Sequence, residues 1–141
     1  MKRVRAVSLL LLAHEGSHLL LVKRPQTDQE LPGVWGLPAA TVGEDETEMA
    51  AASRVGLEKL GVPVSLEGVV ARGQQDRGAH TLEMALFLGL LTVEPVLPGS
   101  SGSQEDKTLY EAWRWDTGEA LEEGLSKGSL CCRLALEFLK G

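Results

Sequence analysis

The sequence predicts an α+β domain, a mixed β-sheet with two or three helices. Apolar runs of strand length and strand composition recur along the chain. Stretches at helical spacing fall between and after them, so helices and strands are interleaved. The chain has 141 residues, enough for one buried core, and it reads as a single domain over 1–141.

Residues 3–13 and 18–24 read as strands, rich enough in Leu and Val to be buried on both faces. The basic start and the run from Ala6 to Ala13 also resemble a short leader peptide. No small-x-small cleavage site follows, and the Glu15–Ser17 turn between two apolar runs is a hairpin signal, so the strand reading is preferred. Residues 25–45 form a long connection with Pro25, Pro32, Gly33, Gly36, Pro38 and Gly43; a connection of that length in a compact domain is usually functional. Trp35 is expected to anchor it by burial.

A helix is expected over 47–60. Asp45 or Thr47 can cap its start, and Gly61 suits a left-handed stop. Met49, Ser53, Gly56, Leu57 and Leu60 make its expected inner stripe. Gly56 lowers helix stability by about 1 kcal/mol, which argues for close packing there. Residues 64–72 and 81–92 read as strands, joined by a polar loop from Gly73 to His80. Residues 94–106 read as a Ser/Gly-rich loop, and 109–115 as a strand. Asp116 can cap a short helix through Leu125. An amphipathic helix at 129–139 closes the chain, with Leu130, Leu134 and Phe138 on one face. There are no internal repeats.

The net charge of −6 argues against a broad surface for the phosphate backbone of duplex DNA or RNA. It leaves room for a small phosphorylated ligand held at one local site. No segment approaches the roughly 20 apolar residues of a membrane span. Cys131 and Cys132 are adjacent, a poor geometry for a disulfide, and no zinc spacing is present. Reduced thiols and a cytoplasmic location are expected. His14 and His18 flank the hairpin turn and need no chemical explanation.

The stretch 31–62, LPGVWGLPAATVGEDETEMAAASRVGLEKLGV, carries the chemistry. A Gly/Pro-punctuated loop runs through an acidic turn into the helix. Glu46, Ala50, Arg54 and Glu58 form one i+4 row, so Arg54 can bridge Glu46 and Glu58. Glu44, Asp45 and Glu46 would also complement the helix dipole. Arg24, Arg72 and Arg77 are candidate phosphate contacts or solvated charges.

This block resembles the box of the Nudix (MutT-like) pyrophosphohydrolases: Gly, five residues, Glu, seven residues, then Arg-Glu-apolar-any-Glu-Glu-any-Gly-apolar. Glu46, Arg54, Glu58, Gly61 and Val62 match it, and both gaps are intact. Ala40, Val55, Gly56 and Lys59 depart from it. The flanks LLLVKRP, VWGLP and EAWRW are similar to the family's as well. The resemblance implies a mixed sheet sandwiched between α-helices and hydrolysis of nucleoside diphosphate-linked substrates. It implies Mg²⁺ or Mn²⁺ held by box glutamates, here Glu58 and Glu46, with a late acid joining them; Glu105, Asp106 and Glu111 are candidates, and Glu111 is taken. Glu58, Glu46 and Arg54 would be the catalytic set, Lys59 and Arg24 the substrate contacts. Two of three cation-holding glutamates are replaced, by Val55 and Lys59, so the metal site is expected to be impaired. The alternative is a weak or inactive nucleotide-binding or regulatory module on the same scaffold. A homodimer is left open.

Overall fold

In the computed structural model, residues 2–13, 18–27, 31–97 and 110–141 are described. The strands are β1 Lys2–Leu12, β2 Leu19–Lys23, β3 Trp35–Gly36, β4 Ala39–Thr41, β5 Ser65–Asp76, β6 His80–Leu90 and β7 Ala112–Asp116. The helices are α1 Glu48–Val55, α2 Glu122–Ser126 and α3 Leu130–Lys140. A π-helical turn, Gly56–Leu60, prolongs α1, and a 3-10 turn, Gly118–Leu121, precedes α2.

β1 is the axis of a mixed sheet with the order β3-β2-β1-β6-β5. It runs parallel to β6 over its whole length, from Lys2 opposite His80 to Leu12 opposite Leu90. Its other edge pairs antiparallel with β4 through Ala6–Ser8 and with β2 at Leu12 opposite Leu19. β7 pairs with β2. Alternation along β1 explains the layers. Val7, Leu9 and Leu11 enter a core cluster with Ala51, Ala52, Val55 and Leu60 of the α1 segment. Ala6 and Leu10 enter a second cluster with Leu130, Leu134 and Ala135 of α3. The sheet is therefore covered by a helix on each face, which is why β1 is buried on both faces from Ala6 to Leu11.

Several expectations need correction. The inner stripe of α1 is Ala51, Ala52, Val55, Gly56, Lys59 and Leu60, whereas Ser53 faces out and Met49 and Leu57 are 47% and 62% exposed. Close approach to the sheet selects small side chains, and the large apolar ones were the wrong guide. Gly56 is closely packed, as expected: a Cβ there would lie 2.8 Å from the Val62 carbonyl oxygen. The expected loop 73–80 is mostly strand. Gly73–Asp76 pair with Met84–Thr81, leaving only a turn at 77–79. The polar side chains there belong to an edge strand, where pairing with one neighbour suffices. The 25–45 connection contains β3 and β4, and Trp35 is half-buried with the Arg114 guanidinium 4.3 Å from its ring centroid. Phe138 is 37% exposed, while Leu130 and Leu134 are buried as expected. The Glu15–Ser17 turn, most of the 94–106 loop and residue 109 lie outside the described residues. Among the described residues, no helix is long and apolar enough to cross a membrane.

Candidate functional site

The site is built where the 34–46 segment meets α1. Thr47 caps the helix: its hydroxyl accepts from the Ala50 N–H at 3.0 Å. Glu46 sits just outside, folded back so that its Oε1 accepts from the Gly43 N–H at 3.0 Å. Arg54, in the last turn of α1, donates to both oxygens of Glu46, from Nε at 2.8 Å and from Nη2 at 2.9 Å. Nη2 also donates to the Thr41 carbonyl at 2.8 Å. Nη1 lies 3.6 Å from Glu58 Oε1. The bridge expected of Arg54 is therefore formed, and it also pins β4 to the helix. Glu46 raises the already high pKa of Arg54, against partial burial.

Past Arg54 the helix widens into the π turn. Such turns concentrate at functional sites. Val55 is fully buried in the α1-side core. Glu58 keeps about a third of its side-chain surface, 34%. Lys59 turns inward and is only 7% exposed. Its ammonium donates to the Ala39 carbonyl at 2.6 Å and stands 5.6 Å over the Tyr110 ring. The Tyr110 hydroxyl accepts from the Ala39 N–H at 2.9 Å and lies 3.3 Å from the Ala39 carbonyl oxygen. Lys59 and Tyr110 thus grip the same peptide of β4, with the lysine stem buried and its charge matched by a carbonyl and a ring face.

The remaining sequence candidates are dispersed. Arg72 makes a bidentate pair with Glu48, at 3.0 and 2.8 Å, which lowers the Glu48 pKa. Arg24 bonds through its N–H to the Val34 carbonyl, and its charge is felt at Cys131 on the α3 side. Glu111 accepts from the Gln26 N–H at 3.0 Å and lies 3.9 Å from Lys23 Nζ. Glu105 and Asp106 lie outside the described residues. Cys131 and Cys132 are free, buried thiols at the start of α3. The two neighbouring thiols act on each other in opposite directions, Cys132 holding Cys131 below the ordinary thiol value and Cys131, with burial, pushing Cys132 up.

The divalent cation that the resemblance implies can be tested against this donor set. Among the described residues, no three His, Cys, Asp or Glu side chains converge closely enough to hold a metal ion. Of the three box positions, one presents hydrocarbon, one a carboxylate beside Arg54, and one an ammonium seated on a carbonyl. Cations of this class require several oxygen ligands, and among the described residues these three box positions supply one carboxylate, that of Glu58. Sequence reasoning missed Tyr110 and the backbone groups of Ala39, Thr41 and Gly43. Backbone partners leave no mark in a residue pattern; Tyr110, the chain's lone tyrosine, could have been flagged as a buried aromatic seeking a hydroxyl partner.

A sequence model of the NUDIX domain matches residues 2–129. No curated protein shows significant similarity to the chain. Solved structures share the fold. A NUDIX hydrolase from Nitrosomonas europaea is 15% identical, with 99% of this chain and 89% of that one covered and a TM-score of 0.74. A MutT protein from Methanosarcina mazei Go1 is 17% identical, with coverage of 86% and 82% and a TM-score of 0.70. The E. coli dihydroneopterin triphosphate pyrophosphohydrolase is 16% identical, with 84% of each chain covered and a TM-score of 0.63.

Proposed function

Because the chain belongs to the NUDIX domain family, whose members bind nucleotide-type substrates, we propose that it binds nucleoside diphosphate-linked compounds with weak or absent hydrolytic turnover. One observation carries this reading: the ammonium of Lys59, in a box position where the family resemblance expects a carboxylate, seated on the Ala39 carbonyl. A fixed positive charge disfavours a divalent cation nearby. Even unit charges about 4 Å apart repel by about 4 kcal/mol at an effective dielectric near 20. Lys59 is accordingly a positioning residue, holding β4 and Tyr110 where the resemblance expects a metal-organised site.

Calorimetry with ADP-ribose and nucleoside triphosphates tests the proposal. Binding is expected to persist in EDTA and to weaken in Lys59→Glu, and phosphate or pyrophosphate release with Mg²⁺ or Mn²⁺ is expected to stay near background. Rapid release that disappears with chelator and in Glu58→Gln would overturn it. The second reading, a hydrolase of the same compounds, is favoured by the partial exposure of Glu58 beside Arg54 and Glu46. In that reading these three are the catalytic set and Glu111 is the late acid.

A further inference from the structure

β5 ends the sheet, and among the described residues it pairs on one side only, with β6. Its two halves differ. Between Leu66 and Ala71 the register with β6 shifts twice, and Gly68 has φ of +136°. Bulges of this kind blunt an edge against a further strand. From Ala71 opposite Leu86 to Asp76 opposite Thr81 the register is unbroken. α3 steadies this stretch from one face. The Gln75 amide donates to the Gly128 carbonyl at 3.1 Å, and a Cβ on Gly73 would lie 2.8 Å from the Leu134 side chain. The turn sets which main-chain groups point outward. The Arg77 N–H donates to the His80 carbonyl at 2.9 Å, and bonded and non-bonded pairs alternate along an antiparallel ladder. Gly73 and Gln75 therefore direct their main-chain groups at β6, whereas Arg72, Gln74 and Asp76 direct theirs out of the sheet. The side chains of those three residues are exposed as well.

We infer that this edge joins a second copy of the chain, the two β5 strands lying antiparallel about a two-fold axis at Gln74. Outward-pointing residues must face one another for main-chain bonds to form. An axis at Gln74 places Gln74 opposite its counterpart, and Arg72 of each copy opposite Asp76 of the other. All three positions then exchange main-chain bonds, and the sheet runs on from one copy into the next. The side chains agree with this register. Alternate residues share one face, so two opposite-charge pairs flank a central pair of amides, each able to donate and to accept. Arg72 binds Glu48 through Nη1 and Nη2 and has further N–H donors. The Asp76 carboxylate accepts from the Gly78 N–H at 2.8 Å and has acceptor sites left. An axis at Gly73 would set Arg72 against Gln74 and Asp76 against the bulge. An axis at Gln75 would carry Arg72 past the end of the strand. The contact is isologous, so it closes as a dimer rather than a fibre. It lies across β6 from β1 and β4, so the Lys59 contact with Ala39 stays outside it.

Sedimentation velocity over a dilution series tests this, whatever the chain binds. The unaltered chain is expected to pass from monomer to dimer as its concentration rises. Gln74→Pro removes an outward N–H and leaves the ladder to β6 intact, so it should abolish the dimer and keep the far-UV circular dichroism of the fold. Asp76→Arg alone, and Arg72→Asp alone, set like charges opposite each other at both pairs. Each should weaken association by about tenfold. Mixed in equal amounts, these two variants regain both opposite-charge pairs and should associate about as tightly as the unaltered chain. Mixing does not repair a folding defect, so this recovery reports on the edge itself. An unaltered chain that stays monomeric at millimolar concentration would overturn the inference. So would a dimer indifferent to Gln74→Pro, or a mixture that associates no better than either charge variant alone.

Discussion

Arg54 donates twice to Glu46 and once to the Thr41 carbonyl, and it reaches Glu58, so one guanidinium joins the turn before α1, the strand β4 and the π turn. Its side chain is 25% exposed, shielded enough for these bonds to count. Arg54→Ala should lower unfolding free energy by about 2 kcal/mol, the range for hydrogen bonds to charged groups, read from urea denaturation. Arg54→Lys keeps the charge but loses the fork, and should recover less than half of that loss. At Glu48 the partner Arg72 lowers the folded pKa below the ordinary carboxylate value. A group depressed in this way adds stability that is present above its unfolded pKa and is lost as pH falls through the folded one. Melting temperatures followed from about pH 6 to pH 3 should therefore fall less steeply in Glu48→Gln than in the unaltered chain. The Arg54–Glu58 pair was legible because i+4 spacing on a helix puts those side chains together, whereas Glu46 reaches Arg54 from outside the helix by folding back onto the Gly43 N–H. The Lys59–Ala39–Tyr110 contact was not, since two of its three groups lie far from the helix in sequence and one is a main-chain carbonyl.

At the scale of elements, α1 and its π turn depend on Thr47 and on two glycines. Thr47→Ala removes the cap and should cost about 1 kcal/mol. Gly61 has φ of +70°, and a Cβ there would collide with the Val96 carbonyl, so Gly61→Ala combines backbone strain with a clash. Gly56→Ala meets the Val62 carbonyl but has ordinary helical dihedrals, with φ of −59°. Chemical denaturation should rank Gly61→Ala as the more damaging. The strands and helices were readable from apolar runs and their punctuation, and Gly61 from its stop signal. What escaped was orientation. Rotating α1 by one residue brings the alanines under the sheet and carries Lys59 inward, and only packing against a close surface decides that rotation. The length of β5 escaped for a related reason: its last four residues are polar, and their strand character comes from pairing with β6.

For the whole molecule, the proposal separates two additions that the family resemblance would couple. A nucleotide at a hundred times its dissociation constant should raise unfolding free energy by about 2.7 kcal/mol. Mn²⁺ alone, at millimolar concentration, should leave the melting temperature unchanged; a clear rise lost in Glu58→Gln would contradict the donor set described above. The sandwich of helices around a mixed sheet was legible from interleaved elements and the family resemblance. The parallel β1–β6 ladder has a consequence for biosynthesis. Strand β1 finds its main neighbour only once synthesis has passed His80–Leu90. Until then Val7 through Leu12 is an apolar ribbon without its partner, the sort of surface that sticks to other nascent chains. Closure of this domain must come late, and a ribosome-bound fragment ending before His80 should bind chaperones and remain open to proteases.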